Sequence, residues 1–421
     1  VKAFISCLLL ALPLPLLAQV TAIRAGAVVD PRTGASKTNQ VILIKGAKIE
    51  AIGPGIAIPP GAQVIDLSHD WVSPGLMDAH THLTLAETGG DGPFEAFYLS
   101  ESTAFRAMRG LHNGEILVRA GFTTVRDVGN SAEYAMVDVG RAIDRGWFIG
   151  PTVIDAGKII APWGGQSRNI PASQGNFWKY EYIDADSPAE VRKAVRVNIY
   201  QGAKVIKLVG DNNPYHFSVE EIRAAVDEAH RAGVPVAIHC IFGGEEADNA
   251  IEAGVDSLEH GFYLTDAQLK RMAAKGITLV GTDFPRFVLD VMGTSSGMLP
   301  EPAVLAPLII DRLRRAHQAG VRLVFGSDVP IDIPGKDRAE VMLGYLEVWT
   351  AAGIAPQEIL RAMTSDAAKL LRVEKERGVI SEGLAADLIA TPEDPTKDIM
   401  TLKKVEFVMK DGRVVRDAHG R

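Results

Sequence analysis

The chain has 421 residues, 47% of them hydrophobic and 23% charged, an ordinary globular composition with ample material for a core. A formal charge of −8 and the lack of any long basic run argue against a nucleic-acid partner. Two cysteines exclude a disulfide framework.

Residues 1–18 read as a secretory leader. Lys2 gives a positive start, and the apolar stretch from Ala3 to Ala18 is broken by Pro13 and Pro15, too short and interrupted to span a bilayer comfortably. Removal of the leader would take Cys7 with it and leave Cys240 alone. The expectation is a secreted or periplasmic protein with no membrane association after leader removal. Short β-like runs follow at Ala22–Val29, Gln40–Lys45, Lys48–Ile52 and Ala62–Leu67, punctuated by Asp30-Pro31 and Gly53-Pro54-Gly55. From residue 73 strands alternate with helical patterns. Strand ends fall near His82, Asp127, Asp155, Lys207, His239, His260, Thr282 and Asp328. Helices are expected over Ser218–Ala232, which opens on a Ser218-Val219-Glu220-Glu221 capping box, and over Gly244–Ala253, Thr265–Lys275, Ala303–Ala319 and Ala355–Ala367. Repeated βα units predict an α/β fold with a parallel sheet, and eight of them would close a TIM-like (β/α)8 barrel. Residues 376–421 return to short strands at Asp387–Ala390, Val405–Lys410 and Arg413–Val415.

The chemistry concentrates at the ends of the barrel-type strands, where such folds build their sites. An apolar run leads into His80-Thr81-His82, and residues i and i+2 of a strand share a face, so both imidazoles can hold one ion. Alone, this pair is a weak signal. Lys207, His239, His260 and Asp328 then follow, each closing a strand-like run. Singly, either later histidine reads as a satisfied core residue, Lys207 as an ion-pair partner and Asp328 as a turn cap. Asp78 shares the strand face of His80 and His82 and reads equally as an orienting group or as a barrel-floor acid. His112, His230 and His317 read as structural, and strand alternation turns Cys240 away from the His239 face as a small hydrophobe.

This ordered set, with Gly121-Phe122-Thr123-Thr124-Val125-Arg126-Asp127, Glu259-His260-Gly261 and Ala386-Asp387-Leu388-Ile389, resembles the amidohydrolase superfamily. Within it, the chain is most similar to the secreted imidazolonepropionase-like and prolidase-like metallopeptidase branch. The resemblance implies a barrel over 73–375 and a small β-sandwich domain built from 19–72 and 376–421. It implies two divalent metal ions; imidazole and carboxylate ligands suit zinc, with manganese, cobalt and iron as the alternatives. His80, His82 and Asp328 would hold one, His239 and His260 the other, with an N-carboxylated Lys207 bridging them. Burial of Lys207 favours the neutral amine that such carboxylation needs. A metal-bridging hydroxide would attack an amide bond in a dipeptide or N-acyl amino acid, and Asp328 would move its proton to the leaving group.

Tyr215, Arg286 and Arg168 are the candidates for binding the substrate carboxylate. The chain departs from the related peptidases at Ala161-Pro162-Trp163-Gly164-Gly165-Gln166-Ser167, where Gln166 stands in place of a histidine; an amide can donate a hydrogen bond but cannot protonate. Hydrolysis of lactones, esters or cyclic amides at the same site is the alternative reading, and a non-catalytic metal-binding barrel is a third. The expected partner is a small molecule. Homo-oligomerisation stays open.

Overall fold

A computed structural model describes residues 20–85, 100–167, 173, 175–211, 213–292, 300–329, 331–418 and 420. The leader-like residues 1–18 and Arg168 lie outside these. Four strands come first: β1 (Val20–Val29), β2 (Ser36–Lys45), β3 (Lys48–Gly53) and β4 (Gln63–Pro74). Ten more form the middle of the chain: β5 (Leu76–Thr81), β6 (Phe122–Asp127), β7 (Thr152–Asp155), β8 (Ile159–Ala161), β9 (Tyr182–Asp184), β10 (Ile206–Val209), β11 (Val236–Cys240), β12 (Ser257–His260), β13 (Thr278–Val280) and β14 (Arg322–Val324). The last three are β15 (Leu388–Thr391), β16 (Phe407–Lys410) and β17 (Arg413–Asp417).

The first four and last three strands make one mixed seven-stranded sheet in the order β17-β16-β15-β4-β1-β2-β3. The chain ends meet where β15 runs antiparallel to β4, with Leu388 opposite Pro74 and Thr391 opposite Trp71. The sheet curls: Ile49 N–H on β3 donates to Leu384 O, just ahead of β15, and Ala386 N–H donates to Ala47 O. Inside the curl lies an apolar core that includes Ile23, Ile42, Ile44, Leu67, Leu388 and Phe407. Alternation in β4 explains it, since Ile65 and Leu67 are buried between exposed Val64, Asp66 and Ser68.

The middle strands form a parallel seven-stranded sheet in the order β14-β13-β12-β11-β10-β8-β9 and a parallel three-stranded sheet β5-β6-β7. Backbone hydrogen bonds join these two sheets on both sides. Ala79 N–H donates to Phe325 O at 2.9 Å and Asp328 N–H to His80 O at 2.7 Å, linking β5 to the segment after β14. On the other side Lys204 N–H, ahead of β10, donates to Asp155 O of β7 at 2.8 Å. Helices pack outside. The one over Val219–Arg231 has the expected box, with Ser218 and Glu221 capping each other, and buries Ile222, Val226 and Ala229 at helical spacing.

The sequence suggests one helix over Ala355–Ala367; the structure has two, Pro356–Ala362 and Ser365–Leu370. Thr364 leaves the helical region at φ −139°, ψ −94°, and its hydroxyl donates to Leu360 O at 2.6 Å. The break lets Met363 O accept from Met77 N–H and Ala362 O from Phe325 N–H, which seals the lower end of the strand ring. Ala367, Ala368 and Leu371 complete that seal against Met77, Ala237, Val280 and Val324. Among the described residues no helix is long and apolar enough to cross a membrane.

Candidate metal centre

The opposite end of the strand ring is polar. Along β10, Ile206 and Leu208 face the helix layer, so Lys207 faces inward. Along β11, Ile238 and Cys240 join the outer core and His239 points in, as alternation requires. β12 behaves differently. Leu258 faces out and Glu259 in, so His260 would be outward in a regular strand. It instead adopts φ +66°, a left-handed turn that brings its ring back over the site. Asp328 does the same at φ +50° and Thr282 at φ +44°.

These side chains converge. The Nε2 atoms of His80 and His82 lie 3.6 and 3.3 Å from Asp328 Oδ1, and His260 Nδ1 lies 3.6 Å from Asp328 Oδ2. His80, His260 and Asp328 present ligand-type atoms that all lie within 4.8 Å of one another. His239 Nδ1 and His260 Nε2 face each other at 2.7 Å.

Each histidine also has a partner behind it. His80 Nδ1 lies 2.7 Å from Glu259 Oε2, His82 Nδ1 2.8 Å from Gly129 O, and His239 Nε2 3.0 Å from Asp211 Oδ1. The Glu259 carboxylate and the Gly129 carbonyl are acceptors only, so His80 and His82 carry their proton on Nδ1 and keep the lone pair on Nε2. His260 Nδ1 meets Thr282 Oγ1 at 2.8 Å. Gln166 Nε2, an N–H donor, lies 3.3 Å from His239 Nε2, and with that nitrogen accepting, His239 Nδ1–H donates to His260 Nε2. A divalent ion would take the place of that proton, and converging imidazoles with one carboxylate are a donor set that fits such an ion. Glycine is required at 129: the backbone sits at φ +115°, and a Cβ would meet Ile159 Cγ1 at 2.4 Å.

Burial and charge tune these groups together. Burial pushes the Lys207 ammonium down to about 8 against the opposing pull of Glu259 and Asp328. Burial, then the Lys207 charge, lowers His80 to about 4. His260 falls well below its usual value through burial and its histidine neighbours. Burial would raise Asp328, but His80, His82 and Lys207 outweigh it and hold the carboxyl low. Asp328 keeps 17% of its side chain exposed while His80 keeps 1%, so the aspartate is the more accessible of the two.

Of the proposed substrate contacts, Gln166 touches the cluster, at the His239 nitrogen that also faces Asp211. Its Nε2 lies 3.3 Å from His239 Nε2, and its Oε1 accepts from Tyr182 OH at 3.1 Å. Tyr215 is 78% exposed; its backbone N–H donates to Asn213 Oδ1, whose amide in turn donates to Gly165 O. The structure therefore places Tyr215 on a loop tied to the Gln166 loop, not on the histidines. Arg286 opens a short helix and pairs with Asp290 at 2.6 Å on the exposed surface. Arg168 is outside the described residues. The structural readings of His230 and His317 agree with their pairing to Asp256 and Glu358. Asp78 accepts from His80 N–H and Ser327 N–H, so it ties together the two chain segments that carry His80 and Asp328.

Sequence reasoning passed over Glu259, Arg126 and Asp211. Arg126 donates to Glu259 Oε1 at 2.8 Å, to Ser257 Oγ at 3.0 Å and to Ala79 O, all of them buried. No local sequence signal marks the pairing, since the burial that forces Glu259 and Arg126 together exists only in the fold.

The site sits within a recognisable lineage. The sequence profile of the Amidohydrolase family matches residues 71–415. The chain is similar to ochratoxinase of Aspergillus niger, 30% identical over 95% of this chain and 87% of that protein. It is similar to the imidazolonepropionase of Fusobacterium nucleatum, 22% identical over 84% of each. Among solved structures it resembles a Xaa-Pro dipeptidase with methionine bound in its active site, with a TM-score of 0.82 and 28% identity over 94% of this chain and 99% of that one. With the profile spanning most of its length, and relatives that align nearly end to end, this chain belongs to the amidohydrolase family.

Proposed function

We propose that this hydrolase cleaves an amide bond in dipeptides or N-acyl amino acids, on a (β/α)8 barrel carrying two divalent metal ions. His80, His82 and Asp328 would hold one ion and His239 and His260 the second, with N-carboxylated Lys207 between them. The observation that carries this is the arrangement of the histidines, whose outer nitrogens are tied to protein oxygens while their inner nitrogens meet at Asp328 and at each other. A dipeptidase and an ochratoxinase among the relatives support amide substrates.

Bound metal ions would supply Lewis-acid polarisation of the scissile carbonyl and a more acidic water. The protein supplies the rest. Asp328, anionic and partly exposed, takes the proton of the attacking water and delivers it to the departing amine. Gln166, steadied by Tyr182, stands beside His239 where its amide can hydrogen-bond the reacting group. Lys207, with its affinity for protons reduced by burial, is available to carbon dioxide as the neutral amine.

Metal analysis of protein purified without chelator is expected to give roughly two divalent ions per chain. A reproducible value near one, unchanged by added zinc and bicarbonate, would reject the bridged pair. The substrate reading has its own test. A free C-terminal carboxylate should matter, because a charged hydrogen bond contributes roughly 1.5–3 kcal/mol. Amidating the C-terminus of a dipeptide is therefore expected to lower kcat/KM about tenfold to a hundredfold at constant pH. Equal rates for the matched pair, or lactone hydrolysis far above any peptide rate, would replace this substrate class with the cyclic or ester one.

A further inference from the structure

Four histidines face the centre, but their backing differs. His82 and His260 rest on neutral oxygens, the Gly129 carbonyl and the Thr282 hydroxyl. His80 and His239 rest on carboxylates, Glu259 and Asp211. The proposed ion positions therefore contain one carboxylate-backed histidine each.

The two carboxylates are themselves anchored by different means. Glu259 is fully buried and accepts from the Arg126 guanidinium at 2.8 Å and from Ser257 Oγ at 2.5 Å through one oxygen, leaving the other for His80. Asp211 is 1% exposed; one oxygen accepts the backbone N–H groups of Ile241 and Phe242, and the other lies toward His239. Each acid has one oxygen fixed by the protein and one turned to a ring nitrogen. An anion behind an imidazole fixes the ring's direction and makes its far nitrogen a better donor, and loss of such a partner costs about 10–100-fold in metal affinity.

We infer that Glu259 and Asp211 are positioning residues, one for each ion, with Arg126 holding Glu259 in place for the first. This rests on the binuclear reading above. Neither acid is a ligand in this scheme. Glu259 acts through His80 and Asp211 through His239, so the two act on separate ions and independently of one another.

The test is chelator competition on the whole protein, reading two zinc dissociation constants for the parent, for Glu259→Gln, for Asp211→Asn and for the double variant. The amides keep the size and an acceptor oxygen but remove the charge. Each single variant is expected to raise one dissociation constant about 10–100-fold and leave the other near the parent value. The double variant should raise both. Because Glu259→Gln leaves the Arg126 charge buried alone, an Arg126→Met, Glu259→Gln variant is measured beside it; it should fold at least as well and still show the weakened ion. Parent-like constants in Glu259→Gln, or a fall in metal-free melting temperature with both constants unchanged, would make the carboxylates merely structural and overturn the inference. A double variant that keeps one tight ion would show that both acids serve the same position, which also overturns it. If the parent itself binds fewer than two ions, the binuclear reading fails first, and that result is seen before any variant is compared.

Discussion

Replacing Asp328 with asparagine is expected to lower kcat by ~10²-fold or more while leaving the fold in place. The substitution keeps the volume and one oxygen near the His80 and His82 Nε2 atoms, which now lie 3.6 and 3.3 Å away. It also suits the backbone. Position 328 adopts φ +50°, a region that asparagine and aspartate tolerate better than other side chains. The Asp328 N–H to His80 O bond is a main-chain contact and survives. What disappears is a carboxylate that neighbouring histidines and Lys207 hold ionised. Steady-state rates and metal content are measured on the same preparation, because the residue is also placed as a ligand. Near-parent turnover with both ions retained would show that another group moves the proton.

The second large effect is expected at Lys207. Changing it to alanine should lower metal content and activity together, with metal affinity weakened at least ~10-fold, the lower end of what loss of an outer partner already costs. Lys207 is buried in the same polar pocket as Glu259 and Asp328, so a simple ion pair is its rival role. The two roles separate cleanly. Short carboxylic acids added to Lys207→Ala should restore part of the turnover if a carbamate is missing, because they can occupy the space between the ions. They cannot replace a cation. Full activity without rescue would remove Lys207 from the centre.

Five of the six ligand-type residues stand at or past the end of a strand, where a parallel α/β fold gathers its polar groups, but Lys207 does not close its strand: β10 runs on through Leu208 and Val209. Lys207 and His239 obeyed simple alternation as well. His260 did not. Its ring reaches the site only through a left-handed backbone, and nothing in Ser257-Leu258-Glu259-His260 announces a positive φ on a histidine. The backing shell was harder still. Glu259 meets His80 across 179 residues and Arg126 across 133, separations at which spacing carries no information. β14 shows another limit. The apolar run suggests a strand to Asp328, but regular pairing stops at Val324, because Phe325 and Asp328 turn their backbone groups to β5. The paired terminal strands were expected from family likeness, since no local pattern links residues 63–74 to residues 388–391.

That terminal pairing bears on the order in which the molecule can assemble. β4 runs into β5 across the single residue Gly75, and Gly75 N–H itself donates to Asp387 O. The strand carrying His80 is thus moored, a few residues upstream, to a segment synthesised more than three hundred positions later. Until that segment emerges, β4 lacks a neighbour on one side and the strand carrying His80 has no fixed entry point. Loop closure over such a distance is entropically slow to initiate, though its extra cost rises only with the logarithm of length. The strand carrying His80 would thus gain its fixed entry only when residues 387–391 pair with β4, after all six ligand-type residues have been made.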